Sequence, residues 1–593
     1  MKPVRVFDLE IYKDYFLAAF RDVKTGKHAM FEMFEDHPFD ITGVRKIIKE
    51  STLVSFNGIN FDMPLLSLAL KGADNATIKQ ASDAIIVSNL RSWQLEQRFK
   101  FKTIQAVDHI DLIEVAPGKV SLKIYGGRLH CQKMQDLPIE PSASISPADR
   151  EALKIYCAND LATTEDLYRK LLPQIELRAK MGEEYSQELR SKSDAQIAEV
   201  VIKAQVEGIT GDTLTRPEIE AGTRYSYTAP DFIVFEGPLL QDVLERVQSD
   251  YFVVQDSGKV DEPKWLKDLI IPIGGTEYRM GIGGLHSTES SVAHIANDDT
   301  LLVDRDVASY YPNIILGLGL APLHMGNAFS AVYRSIVERR LEAKHNGDKV
   351  TNEVLKIVIN GSFGKFGSKW SVLYSPDLLL ATTITGQLAL LMLIEQLDLF
   401  GVPVVSANTD GIVIKCPKAK LEAMESTVVA WEFVTGFETE ATEYAALYSR
   451  DVNNYIALKT NGTHKCKGVY AQAALSKNPS NTICVDAVIA KLKLGTPVAD
   501  TIRGCTDIEK FVCIRSVKGG ALDQYGDYLG KAVRWYYSSL MEGPLRYKIN
   551  GYTVSRTEGA QALMELPTDL PVDIDYEWYI REAESILADI GAA

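Results

Sequence analysis

The stretch VVSANTDGIVIKC, residues 404–416, sets two β-branched runs around Asn408-Thr409-Asp410-Gly411, with one acid at the tip. Asp-Gly between apolar strands is a strong hairpin signal, because both residues tolerate positive φ. Taken alone, the stretch reads as a turn. It becomes a ligand-bearing turn if the chain brings a second carboxylate beside it. TLLVDRDVASYYPNII (300–315) offers one: it begins as an apolar strand, places Asp304 and Asp306 on one face, and turns into a helix at Ser309-Tyr310-Tyr311-Pro312. Two such acids can hold Mg²⁺ ions bound to a triphosphate, whereas an exposed strand end is the plainer alternative.

The residues between these two stretches favour the ligand reading. In VERRLEAKHNGDKVTNEVLKIVINGSFGKFG (337–367), Arg340 and Lys344 lie four apart on one helical face, and Lys356, Asn360 and Gly364 repeat that spacing on the next helix. Residues 331–370 hold eight Lys/Arg against four Asp/Glu, a local positive excess inside a chain of net charge −15. Such an array presents cations to phosphates, and Gly361, Gly364 and Gly367 permit close approach of a flat base or backbone. A solvated basic face would not need glycines inside a helix, where each costs about 1 kcal/mol.

At 593 residues the chain is too long for one core, and three to five domains are expected. Hydrophobic content of 46% and charged content of 24% are those of an ordinary globular protein. The opening MKPVRVFDLEIY enters a strand-like run, with no signal peptide visible, which points to a cytoplasmic protein. Seven cysteines without a CxxC pair fit a reducing compartment and speak against zinc or iron–sulfur sites. The apolar segment 378–397 contains threonines, Gly386 and Gln387, so it reads as a buried helix preceded by a strand or loop, not as a membrane span. The first 170 or so residues show an α/β pattern, a helical charged passage covers 172–210, and the glycine-rich 271–287 looks like a junction.

DVASYYPNI, KIVINGSFGKF and ANTDG, in that order, resemble the three polymerase motifs of family B DNA polymerases. The GKF continuation is similar to bacteriophage members. The resemblance implies an α/β and α+β multidomain protein: an RNase H-like exonuclease domain (1–190), then a right-hand polymerase with palm (191–318 and 367–470), fingers (319–366) and thumb (471–593). Carried over by position, Asp306 and Asp410, with Val307, match the metal-binding residues, and two Mg²⁺ or Mn²⁺ ions per active site are implied. Tyr311 matches the ring that excludes a 2′-hydroxyl. Arg340, Lys344 and Lys356 match the cations on the incoming triphosphate, Asn360 lines the nucleotide site, and Ser309 and Tyr310 offer backbone amides to phosphate.

The N-terminal part carries its own set of acids. FDLEIY places Asp8 and Glu10 on one strand face, SFNGINFDMPLL contains Asn57, Phe61 and Asp62, and YCANDLATTEDLY carries Tyr156 and Asp160 one helical turn apart. Asp-x-Glu alone says little, since Asp507-x-Glu509 and Asp575-x-Glu577 also occur. The ordered set resembles the proofreading 3′→5′ exonuclease of the same family. There Asp8, Glu10, Asp62 and Asp160 would hold two metals and Tyr156 would orient the water or the scissile phosphate. Asn57 and Phe61 would contact a frayed strand.

Several positions depart from the family's pattern. Asn408 and Gly411 stand where Asp and Ser are usual, and Gly361 replaces a serine. The lysine–x–tyrosine element at the primer end survives as Asn453-Asn454-Tyr455, with Lys465 and Lys467 nearby as candidates for the lysine's role. Ile11 replaces a threonine, and GIGGLHS (281–287), whose Gly283 and Gly284 match the DNA-contacting loop between the two activities, has Ile282 for a tyrosine. Asp306 to Lys356 and Gly367 to Asn408 are too close in sequence for the insertions of protein-primed relatives. No terminal protein is expected as partner. Primer–template DNA and dNTPs are, together with a processivity factor, helicase or single-strand-binding protein. Two rivals remain: an exonuclease whose polymerase half has lapsed, and a non-catalytic DNA-binding replisome scaffold.

Overall fold

Val4–Ile11 is apolar on both faces except where it carries Arg5, Asp8 and Glu10, as a strand inside a covered sheet must largely be. It is the middle strand of five, in the order His28–Met33, Phe16–Asp22, Val4–Ile11, Thr52–Ser55, His109–Asp111. The first three run antiparallel, and the last two run parallel to Val4–Ile11. One face packs Phe7, Leu9, Phe16 and Phe20 against helices such as Asp62–Leu70. The other packs Val6, Leu17 and Val54 against the helix Pro147–Tyr185. That helix starts at a capping box, with Ser146 and Asp149 satisfying each other's backbone amides and Pro147 in its first turn.

The computed structural model describes residues 2–472 and 474–592. Its chain separates into two units, one made of 1–193, 473–483 and 502–579, the other of 194–472, 484–501 and 580–593. Besides the five-stranded sheet, the first unit holds a four-stranded sheet in the order Arg546–Tyr547, Cys513–Leu522, Tyr528–Tyr537, Ala560–Ala562. Residues 471–593, expected as one thumb, are therefore shared between the two units. The helical passage expected over 172–210 is two helices, Pro147–Tyr185 and Asp194–Thr210, and the unit boundary falls between them.

The second unit is built on a ten-stranded sheet with Thr300–Val307 near its middle, flanked by Gly411–Pro417 and Thr439–Asp451. Beyond these lie Asn454–Lys459 and His464–Cys466 on one side and Val404–Asn408 on the other. Helix Pro376–Leu399 runs through the core; its length and composition would allow a membrane crossing, but it is largely buried against other elements of this unit. No strand or loop interrupts 378–397. Thr382 and Thr383 donate to the carbonyls of Leu378 and Leu379 at 2.7 and 3.0 Å, so their hydroxyls are satisfied inside the helix. The residues that read as helix breakers are contacts. Gly386 lets the Tyr310 ring close, its carbonyl accepting the Tyr310 hydroxyl at 2.5 Å. The Gln387 amide clamps Gly281 and Gly283 through their backbone. The glycine-rich 271–287, expected as a junction, lies wholly within the second unit, where Ile271–Ile273, Thr276–Arg279 and His286–Ser287 are strands of one sheet, and does not join the two units.

Candidate active sites

In the second unit the aspartate strand lies antiparallel beside the hairpin's second strand, which brings Asp306 to the hairpin turn. Asp306 is the register partner of Gly411, and the Val307 amide donates to the Asp410 carbonyl at 2.7 Å. Thr409 takes a left-handed φ of 64°, which lifts Asp410 to the tip, and its amide is held by the Leu285 carbonyl at 2.8 Å. Gly284 packs directly on this turn: a Cβ there would lie 2.7 Å from the Thr409 Cα. Its role in the structure is to let the hairpin seat, while Gly283 is open on that side. Asp306 and Asp410 are both open to solvent, yet the cleft walls strip part of their water. That desolvation, followed by the neighbouring Asp304, raises Asp306 to about 6, against the pull of Lys465 and Lys467. Asp410 is raised as well, first by desolvation. Asp304 itself is buried, receives the Tyr444 hydroxyl, and has Lys465 Nζ at 3.6 Å.

Two cavities open beside this junction, and Asp410 lines both. One, of about 310 Å³, is walled by Val307, Tyr311, Arg340, Asn360 and Phe363. Tyr311 stacks on Phe363 with ring centroids 4.4 Å apart. Arg340 donates to Ser309 Oγ at 3.3 Å, and its Nε is buried without a partner among the described residues, a donor an anionic ligand would satisfy. Ser309, at φ 49°, stands at the N-terminus of Tyr310–Gly317, and Ser309 and Tyr310 of that helix start line the same cavity. The other cavity, of about 300 Å³, is walled by Asp304, Asp306, Asn408, Tyr455, Lys465 and Lys467.

Two expected cations are not among the cavity walls. Lys344 pairs with Glu440 at 3.0 Å, the register partner of Asp306. Lys356 is exposed and faces Glu353 at 3.9 Å, because its helix turns Leu355, Val358 and Ile359 inward. Gly361 serves helix packing: a Cβ there would stand 2.5 Å from the Asp194 carbonyl, at the start of helix Asp194–Thr210.

The first unit gathers the second set of acids. Ligand atoms of Asp8, Glu10 and Cys157 lie within 4.8 Å of one another. Asp62 opens helix Asp62–Leu70, is buried, and leaves Oδ1 without a hydrogen-bond partner among the described residues. Burial first and Asp160 second raise Asp8 to about 7; burial and then Asp8 push Glu10 and Asp62 well above the usual carboxylate range. An orphaned buried carboxylate oxygen among acids that resist ionising is the donor set a divalent cation would complete. The second unit's acids fit such an ion too: Gly411, with no side chain, leaves room for the Asp306 carboxylate, whose Oδ1 is 2.2 Å from where a Cβ would be. Asn57, at φ 67°, and Ile59 donate their amides to buried Asp111 at 2.7 and 2.9 Å, which fixes the loop carrying Asn57 and Phe61. Phe61 is half-buried against the core beneath.

Several residues here carried no sequence signal. Lys123, on Leu122–Arg128, bonds Asp160 and sits 4.3 Å over the Tyr156 ring. Asp111, Tyr444 and Cys157 likewise join the two sites through tertiary contacts alone. No spacing rule links Lys123 to Asp160 across 37 positions.

No family model matches this chain, and no curated protein does. Among solved structures it is similar to the family B DNA polymerase from the hyperthermophilic archaeon Pyrobaculum calidifontis, at a TM-score of 0.42 and 16% identity, over 100% of this chain and 78% of that one. A likeness this slight carries no functional argument, which rests on the geometry of the two sites.

Proposed function

We propose that this chain is a template-directed, primer-dependent DNA polymerase of family B and bacteriophage type, with a 3′→5′ proofreading exonuclease. On this reading it replicates a viral genome in the cytoplasm of a bacterial host. The first unit's mixed sheet corresponds to an RNase H-like exonuclease domain, and the second unit's sheet to a palm with Gly326–His345 and Lys349–Phe366 as fingers helices. The observation that carries the reading is the junction of Asp306 and Asp410 beside a cavity walled by Arg340, Tyr311 and Asn360.

Divalent ions on Asp306, Asp410 and Val307, and on Asp8, Glu10, Asp62 and Asp160, would neutralise charge developing at phosphate and activate a hydroxyl or water. The chain's own groups do the rest. Arg340 and the amides at Ser309 and Tyr310 take up negative charge on the triphosphate as pyrophosphate departs. Tyr311, braced by Phe363, leaves no room beside the sugar for a 2′-hydroxyl. In the other site Lys123 holds Asp160 in place, and Tyr156 orients the attacking water. Lys344 and Lys356 join the triphosphate only after rotating away from Glu440 and Glu353, a movement the closing of the fingers would supply.

The deciding experiment is extension of a labelled primer–template with Mg²⁺, with and without dNTPs. Asp410→Ala should abolish extension and spare excision, and Asp8→Ala should do the reverse. Extension that survives Asp410→Ala would remove the reading, as would an unmodified chain that neither extends nor excises.

A further inference from the structure

The ligand atoms that converge in the first unit are not carboxylate oxygens alone. Oxygens of Asp8 and Glu10 and the sulfur of Cys157 all lie within 4.8 Å of one another. Asp8 and Glu10 continue the strand face of Val6, and the helix Pro147–Tyr185 packs on that face. Cys157 stands on this helix, one residue after Tyr156 and three before Asp160. Its plain reading is core, since Leu153, Cys157 and Leu161 form one fully buried stripe at helical spacing. Carbon would serve that stripe as well, and the thiol stands where the stripe reaches the two acids.

A second observation points to a ligand. Asp62 is 4% exposed, and its Oδ1 has no hydrogen-bond partner among the described residues. Its negative charge reaches both Glu10 and Cys157, so it faces the same pocket. Asp8, Glu10 and Asp62 have no ion pair among the described residues, while Lys123 is tied to Asp160. The pocket is therefore short of positive charge. Asp8, its half-buried member, leaves a way in from solvent. Mg²⁺ meets such a shortage through oxygen ligands in near-octahedral geometry and gains nothing from sulfur. Zn²⁺ takes thiolate and carboxylate together in a tetrahedral set, and a thiolate selects it over Mg²⁺.

We propose that Asp8, Glu10 and Cys157 form a site for a thiophilic divalent cation of the zinc class, which competes with Mg²⁺ for the two carboxylates and arrests excision. The sulfur binds as thiolate, its proton passing to solvent, and the fourth tetrahedral position falls to Asp62 or water. The arrest rests on the exonuclease reading above; the ligand set rests on the geometry alone. The lack of a CxxC pair speaks against sites built from paired cysteines and has no bearing on one assembled from a strand and a distant helix.

The test is a titration of the metal-free full chain with Co²⁺, a spectroscopic stand-in for Zn²⁺, followed by absorption. The unmodified chain should develop a thiolate-to-cobalt charge-transfer band in the near ultraviolet that saturates at one ion per chain and is bleached by Zn²⁺. The band should vanish in Cys157→Ser and in the smaller, apolar Cys157→Ala, both checked for folding by primer extension. The other six cysteines remain in each variant, so a band arising from them would persist. In Mg²⁺, added Zn²⁺ should stop excision of a single-stranded oligonucleotide. Half-inhibition of Cys157→Ser, against that variant's own rate in Mg²⁺ alone, should need about 10- to 100-fold more Zn²⁺, the cost of losing even a supporting group around a metal. No band in the unmodified chain, or a band that persists in both variants, would overturn this inference and leave the exonuclease reading standing. So would equal sensitivity to Zn²⁺ with and without the sulfur. A Cys157-dependent band in a chain that excises nothing in Mg²⁺ would support the metal site and overturn the exonuclease reading.

Discussion

Gly411 tests the proposed polymerase site without touching a carboxylate. Its φ is not positive, so alanine fits the backbone there. What alanine meets is Asp306: the added Cβ would lie 2.2 Å from Oδ1 and 3.2 Å from the Arg305 carbonyl. Carbon and oxygen settle at about 3.3 Å or more, so the Asp306 carboxylate must retreat by about 1 Å. A misplacement of that size in a positioned catalytic group costs about 100-fold, or about 2.7 kcal/mol of transition-state stabilisation. The assay is single-turnover extension of a primer–template by Gly411→Ala across a Mg²⁺ titration. The expected result is a rate about 100-fold down at saturating dNTP, a higher Mg²⁺ requirement, and normal excision of single strands. Gly208→Ala, at an open and exposed helix glycine, serves as the control for handling a glycine-to-alanine change and should stabilise slightly. A Gly411→Ala protein extending within threefold of the unmodified chain would mean that Asp306 does not work from the position seen here, and the metal geometry inferred from it would fall.

Arg340→Ala should raise the dNTP concentration for half-maximal extension by about 10- to 100-fold, the worth of a hydrogen bond to a charged group, measured by steady-state kinetics. Lys344→Ala should cost less, because Lys344 is not among the cavity walls and must leave Glu440 before it reaches a phosphate. Tyr311→Val should raise ribonucleotide incorporation relative to deoxyribonucleotide about tenfold or more, read from competition assays. In EDTA the protein should lose thermal stability as pH rises from about 4 to about 7. Asp8, raised to about 7 in the fold, binds more protons folded than unfolded across that window, so its contribution is full below its ordinary carboxylate pKa and lost as pH passes about 7. Mg²⁺ should therefore stabilise most at and above pH 7; a melting temperature that is flat with pH in EDTA and indifferent to Mg²⁺ would contradict the first unit's acid cluster as a metal site.

What the sequence made legible was local. The hairpin at 404–416, the aspartate strand and the two basic helices each follow from alternation, turn chemistry or helical spacing, and each is where those patterns point. Two kinds of feature escaped that reading. The first is residues whose local preference is overridden by a tertiary partner: Gly386 and Gln387 read as interruptions of a helix and are the points at which it holds Tyr310 and the 281–283 loop, while Thr382 returns its hydroxyl to the Leu378 carbonyl inside the helix. The second is charge partners far apart in the chain, such as Lys123 with Asp160 or Glu440 with Lys344, which no periodicity can pair. Both kinds gather at the acids because buried or crowded carboxylates need compensation that one strand cannot supply from its own neighbours. The helix spacing that put Lys356 on the Asn360 face was right about the face and silent about reach, since a four-carbon stem can turn to Glu353 as easily as to a phosphate. Spacing can nominate a cation for a site, but whether it engages depends on which anion is nearer, and in the proposed function that anion changes when the triphosphate arrives.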